Sequence, residues 1–431
     1  MRRINIAAAV MRFSEKIRPF LVKILPINLL RKIKKNMVNS SMAELDSDIG
    51  YTQFIADAHP DGVNLIGFIR GEIGLGQSCR LVASGLQASG LDFTVYNYEQ
   101  VSAMRFSDHS WDYKITDTTP YNINLIHINP YELPLAYFRI GRTIWDERYN
   151  IAFWLWELER FPSQWEQMLK LVDEIWTPSE FSSDSIRKVT DKPVRTIPYA
   201  LANLDCGTYR REHFDLPDDK FLFLCLYDCN SFIKRKNPMA AISAFKRAFS
   251  RDDRNVGLVI KVNNPQKKDL HAIRKELFGF ANVYIIAEVM DKTKVNALIS
   301  CVDTYVSLHR SEGFGLVPAE AMLLGTPVIA TNWSANTEFM NNDVACMVDY
   351  VFITIEEDHG PYEAGNRWAD PDIEQAAGYM RKLYEDKEFH RNISAKAQSY
   401  IKEKLAPEHA AELITKRISE IIQQANADQP V

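Results

Sequence analysis

Short apolar runs recur along this chain, separated by stretches in which apolar positions follow a helical period. Val63 to Ile69, Phe93 to Tyr98, Ile123 to Ile128, Asn150 to Leu155, Ile175 to Pro178 and Val194 to Pro198 are such runs. Each is too short for a buried helix and apolar on both faces, which predicts strands of a parallel sheet. Cys79 to Ala88 reads as a helix closed by Gly90, and Ser179 stands where it would cap another. The pattern lapses over Tyr199 to Lys220, where Gly207, Pro217 and many charges show no period, as in an interdomain connection. Phe221 to Leu226 restarts it as a strand, followed by a helix over Met239 to Phe249 with Lys234, Arg235 and Lys236 at its start. Strands at Gly257 to Val262 and Val283 to Ile286 and a helix at Lys292 to Ile299 follow, then helices at Glu374 to Glu385 and Pro407 to Gln424. Strand–helix alternation on both sides of a lapse predicts an α/β chain of two domains.

Asp303 to Glu338 organises the rest. Thr304 to Leu308 is a buried strand, Val317 to Leu324 a helix with Pro318 in its first turn, and Thr326 to Ala330 the next strand. The loop between strand and helix holds Glu312, Gly313, Phe314 and Gly315, and leads into Leu316. Its glycines let the backbone approach a ligand closely, and the helix start offers free N–H groups and a positive dipole end suited to phosphate. Glu312 and Glu320 stand at spacing E-x7-E and can face one cleft. A carboxylate accepts two hydroxyl hydrogen bonds, so the pair suits a sugar or ribose. The plainer alternative is a charged surface loop beside a glutamate that favours the helix dipole.

The string EGFGLVPAEAMLLGTPVIAT resembles the donor-site signature of the retaining glycosyltransferases of family 4, and earlier in the chain WELERFPSQW and DEIWTPSEF are similar to that family's cell-surface polysaccharide branch. The resemblance spans about residues 60–425. It implies the GT-B fold: two Rossmann-like domains, 55–205 on the acceptor side and 206–405 holding the donor, facing across a cleft, with a basic extension over 1–50. A last helix, 406–431, would cross back to the first domain. It implies that Glu312 lies by the donor sugar, that Glu320 binds the nucleotide ribose, and that the Gly313 to Leu316 backbone holds the phosphates. Lys236 matches the family's lysine for the leaving diphosphate. The family's arginine position falls at Asn230 or Ser231, a departure that leaves either Arg235 to substitute or Ser231 to hydrogen-bond the phosphate. Gly74, Leu75 and Gly76 match the glycine-rich turn that approaches donor and acceptor; as a dinucleotide fingerprint their spacing fails. A family histidine falls at His127 or Asn129. Glu157, at a strand end, is the acceptor-side carboxylate, and Trp154, Trp156 and Trp165 are either stacking platforms for sugars or core.

Charge adds one feature. Residues 1–36 hold ten Lys or Arg and one Glu, while the whole chain is at −5. This arm interleaves its bases with Phe13, Ile17, Phe20, Leu21 and Leu25, which suits the surface of an anionic membrane. Its apolar runs are too short to span a bilayer, and it fits a signal peptide poorly. The acidic remainder argues against nucleic acid. The six cysteines have neither framework nor zinc spacing, and suit reduced thiols in the cytoplasm, with the protein peripheral on the inner membrane face.

The expected chemistry is hexosyl transfer from a nucleotide-diphosphate sugar to a glycan or lipid-linked glycan in surface polysaccharide assembly. No cofactor is implied, and the D-x-D strings at Asp46 and Asp370 are not placed to bind a metal after a donor-domain strand. Two other classes stay open: a GT-B isomerase acting on the nucleotide sugar alone, and a non-catalytic sugar-binding partner.

Overall fold

The apolar runs become strands covered on both faces. The computed structural model describes residues 51–99 and 105–427; the basic arm expected on a membrane lies outside them. Strands β1 (Val63–Gly67), β2 (Phe93–Asn97), β3 (Ile123–His127), β4 (Tyr149–Phe153), β5 (Glu174–Thr177) and β6 (Val194–Thr196) form one sheet in the order β2-β1-β3-β4-β5-β6. Strands β7 (Phe221–Asp228), β8 (Val256–Asn263), β9 (Val283–Ile286), β10 (Thr304–Ser307), β11 (Val328–Thr331) and β12 (Cys346–Val348) form a second in the order β12-β11-β10-β7-β8-β9. Every pairing in both is parallel. All residues of β1 and β3 are buried, as helices on both faces of a parallel sheet require.

Strand order locates a crevice in each lobe. The second sheet grows outward in opposite directions from β7 and β10, and the first from β1 and β3. Loops leaving the carboxyl ends of such strand pairs diverge, and ligands of open α/β sheets bind there. The segment after β7 carries Arg235 and Lys236, the loop after β10 carries Glu312, and β3 ends at His127 with Asn129 just beyond it.

The register of the first sheet is held by amides. Asn64, Asn124 and Asn150 sit opposite one another on β1, β3 and β4, all buried. Asn64 Nδ2 donates to Asn124 Oδ1 at 3.0 Å, and Asn124 Nδ2 to Asn150 Oδ1 at 2.8 Å.

Two expectations about helices need correction. Helix α1 (Gly74–Ser89) starts at Gly74 and not at Cys79, so Gly74 and Gly76 form its first turn instead of a turn before it. The first turn is pressed onto the preceding backbone: a Cβ on Gly76 would lie 1.9 Å from the Gly71 carbonyl oxygen. Lys234, Arg235 and Lys236 do not open the long helix after β7. They belong to a separate turn, α4 (Ile233–Lys236), which follows α2 (Leu133–Ile140) and α3 (Glu180–Arg187) and is closed by left-handed Asn237. The long helix is α5 (Pro238–Ala248), and α6 (Lys267–Glu276), α7 (Lys292–Cys301) and α8 (Leu316–Leu323) follow. An antiparallel hairpin, β13 (Tyr350–Thr354) with β14 (Arg367–Pro371), was not anticipated although β13 reads as an apolar run, YVFIT; it lies outside both parallel sheets and is mostly exposed. Helices α9 (Ile373–Glu385) and α10 (Lys387–Lys404) complete the second lobe.

The last helix, α11 (Pro407–Ala427), packs on α1 of the first sheet, where Ile414 and Ala410 lie against Gly85. Its Arg417 meets the fully buried Glu174 at 2.6 Å, and Glu174 also accepts from Trp176 Nε1 and Tyr149 OH. Removing one partner of a buried pair strands the other charge, at a cost of about 3–5 kcal/mol. Arg417→Ala should therefore lower the melting temperature by several degrees, read by thermal unfolding.

Candidate functional site

The loop after β10 is shaped from both lobes. Gly315 takes φ 96°, a left-handed conformation costly for any side chain, and starts α8 with no side-chain cap. The N–H groups at that helix end are therefore presented to the loop. Gly313 is so close to the first lobe that a Cβ on it would lie 2.8 Å from the Trp156 carbonyl oxygen. Its own carbonyl accepts from Ser179 Oγ at 2.7 Å and Ser182 Oγ at 3.2 Å. Ser179 also caps α3, whose first two N–H groups, of Glu180 and Phe181, donate to Glu338 of the second lobe at 3.0 and 2.8 Å. Within the second lobe, Glu312 N–H donates to Ser334 Oγ at 2.8 Å, and Ser334 holds φ 74°. Phe314 packs edge-on against Tyr199 with ring centroids 4.7 Å apart.

Four charged side chains meet here. Glu312 is 8 % exposed; its Oε1 lies 2.6 Å from Lys236 Nζ and its Oε2 3.2 Å from Arg235 Nη1. Arg235 Nη2 lies 3.4 Å from Glu157 Oε1, and Nη1 donates to Ser311 O at 2.8 Å. Tyr362, from the β13–β14 connection, donates to Glu157 Oε2 at 3.3 Å and stacks on Trp156. Burial alone would raise the Glu312 carboxyl, but Lys236 and Arg235 outweigh it and hold the group down at about 2. Glu312 is thus a fixed carboxylate, and Glu157, Arg235, Lys236 and Glu312 form one nearly neutral cluster across the lobes.

The other predicted residues are more dispersed. Glu320, on α8, is 1 % exposed and paired with Lys292 of α7 at 2.6 Å. Ser231 does not join the cluster; with Asn230, Lys234 and His359 it lines an open hollow of about 550 Å³. Gly74 is exposed at the start of α1 and Gly76 buried behind it. Asn129 is half-buried, its Oδ1 accepting Leu155 N–H at 3.0 Å. His127 is fully buried: Nε2 lies 2.6 Å from Ser78 Oγ, the ring stacks on Phe153, and Nδ1 has no hydrogen-bond partner. Trp154, Trp156 and Trp165 are all buried core, not exposed platforms. Tyr362, Ser334 and Lys292 went unmarked in the sequence, because each earns its place only by a contact distant in the chain or by a backbone angle. Among the described residues, no helix is long and apolar enough to cross a membrane.

Two pH effects follow. Burial pushes the His127 imidazole down to about 4 from 6.5. The folded state resists the proton, so this residue's contribution is whole above pH 6.5 and is lost as pH falls towards 4. At ~1.4 kcal/mol per unit the loss is about 3 kcal/mol. Denaturant unfolding of His127→Asn should show a flatter stability profile between pH 6.5 and 4 than the parent chain. For Glu312, with its lowered value, the contribution is whole above 4.5 and lost as pH falls towards 2. Glu312→Gln should be less stable by roughly 3–5 kcal/mol at pH 7, with the gap to the parent closing below pH 4.5.

Comparison with known proteins bears on the second lobe and on the fold. Residues 210–400 match the family described as glycosyl transferases group 1. A curated Escherichia coli protein, the O-antigen biosynthesis glycosyltransferase WclY, is 30% identical over 132 residues, which are 31% of this chain and 34% of that one. The match thus spans about a third of that relative's length. Among solved structures, Anabaena Alr3699/HepE in complex with UDP and glucose superposes with a TM-score of 0.59 at 13% identity, over 84% of this chain and 100% of that chain. A glycosyltransferase from Rickettsia africae gives 0.59 at 12% identity, over 86% and 100%. At such identities the likeness speaks for fold. Residues 210–400 are therefore a glycosyl transferases group 1 domain, set in a chain with the two-lobed GT-B fold.

Proposed function

We propose that this chain is a retaining, metal-independent glycosyltransferase that moves a hexosyl group from a nucleotide-diphosphate sugar to a glycan or lipid-linked glycan acceptor. The observation that carries the reading is Glu312: a buried carboxylate fixed beside Lys236 and the uncapped start of α8, at the strand-order switch between β7 and β10. In this reading the diphosphate rests on the N–H groups from Gly313 to Leu316 and on Lys236, the sugar lies by Glu312, and the ribose lies by Glu320. As the bond from sugar C1 to the phosphate oxygen breaks, its electron pair stays on the phosphate. Lys236 and the helix end would take up that charge. The acceptor hydroxyl forms the new bond to C1 on the same face, and its proton passes to the departing phosphate. Asn129 and Glu157 line the acceptor side, while buried His127 supports that wall from behind. The O-antigen relative and the basic arm support a role in surface polysaccharide assembly at the inner face of the membrane.

Thermal shift against UDP-, GDP-, ADP- and dTDP-sugars tests the reading, since a ligand that binds only the folded chain raises its melting temperature. One nucleotide class should raise it, and release of the matching nucleoside diphosphate should accelerate when acceptor glycans are added. Lys236→Ala should slow that release by roughly 10²–10³-fold. If no nucleotide sugar shifts the transition, the reading falls.

A further inference from the structure

The cations closest to Glu312 are already committed. Arg235 is 5 % exposed and wedged between Glu157 and Glu312, with Nη1 also on the Ser311 carbonyl. Lys236 is paired with Glu312. Two carboxylates balance two cations, so the cluster has little net positive charge left for a leaving diphosphate. The arginine expected near Asn230 or Ser231 is absent, and Ser231 faces the hollow beside Lys234 and His359 instead.

A further cation stands on the other side of the loop. Lys292 opens α7, and its backbone is held because Asp291 caps that helix through Lys294 N–H. Its side chain is 31 % exposed, and Nζ reaches 2.6 Å from Glu320 Oε1. That oxygen is buried and accepts no hydrogen bond, so the contact is an ion pair lying off the hydrogen-bond direction. Glu320 lies about one helical turn beyond Leu316, ~6 Å along the α8 axis, within the swing of a lysine.

We propose that Lys292 is the second diphosphate cation of this chain, bridging the Glu320 carboxylate and a phosphate oxygen of the bound nucleotide in place of the missing arginine. The proposal rests on the donor site described under Proposed function. Glu320 keeps its place by the ribose, and Lys292, which among the described residues is held by Glu320 through an off-line contact alone, has N–H donors left to reach the phosphate. A charge-assisted contact of this kind contributes affinity only when the phosphate is present.

Calorimetric titration with UDP, GDP, ADP and dTDP, beside ligand-detected NMR with the matching nucleoside, tests it on the full chain. Lys292→Met should weaken the diphosphate by roughly 10–100-fold and leave the nucleoside within about 3-fold. Lys292→Gln, which still hydrogen-bonds Glu320 without a charge, should behave like Lys292→Met and guard against a folding defect, checked by melting temperature. Lys292→Arg should retain most of the affinity. Equal loss for nucleoside and diphosphate, gain for both, or no change overturns the proposal, because Lys292 would then only hold or block Glu320. A parent chain that binds none of the four diphosphates overturns the donor reading as well.

Discussion

A guanidinium shared by carboxylates of both lobes is the interaction on which this structure depends. Taking Arg235 out of water costs several kcal/mol, and that cost is recovered only when both Glu157 and Glu312 are in place. Glu157 follows β4 of the first sheet, while Glu312 follows β10 of the second. The ion cluster therefore exists only when the carboxyl edges of the two sheets meet. Its second-lobe members stand at the strand-order switch between β7 and β10, where ligands of open α/β sheets bind.

Around this cluster the lobes are joined by contacts of a different kind. The hairpin reaches over the first lobe: Tyr362 lies on Trp156, Glu363 accepts from Ser163 Oγ at 2.8 Å, and Arg367 pairs with Glu159 at 2.7 Å. From the other direction, Ser179 and Ser182 hold the Gly313 carbonyl, and the start of α3 holds Glu338. The contacts to the Gly313 carbonyl and from the start of α3 give partners to backbone groups that would otherwise be buried without them. The loop after β10 is thus held from both sides by protein contacts, and preorganisation of that kind is what electrostatic stabilisation of developing charge requires.

Much of this was legible in the chain. Parallel strands announce themselves because both faces are buried, and Val63 to Ile69 or Phe221 to Leu226 need no tertiary context to be seen. The pairing of glycine loop, carboxylate and helix start around Glu312 was legible for the same local reason. What escaped was set by long-range contact. Tyr362 matters through Glu157, far off in sequence, and Lys292 through Glu320. The start of α1 was misplaced because its glycines look like a turn, whereas Gly76 is small in order to seat a helix on Gly71. The basic run after β7 was misplaced because Asn237, in a left-handed conformation, ends one turn and begins the next.

The row of asparagines in the first sheet has a kinetic meaning. Asn64, Asn124 and Asn150 complete one another only when β1, β3 and β4 lie side by side, and long stretches of chain separate those strands. A sheet caught one residue out of step would leave buried amides without partners, and so would be turned back instead of trapped. The same row rewards only contacts far apart in sequence, which are slow to find. The first lobe therefore gives up speed of assembly for certainty of alignment.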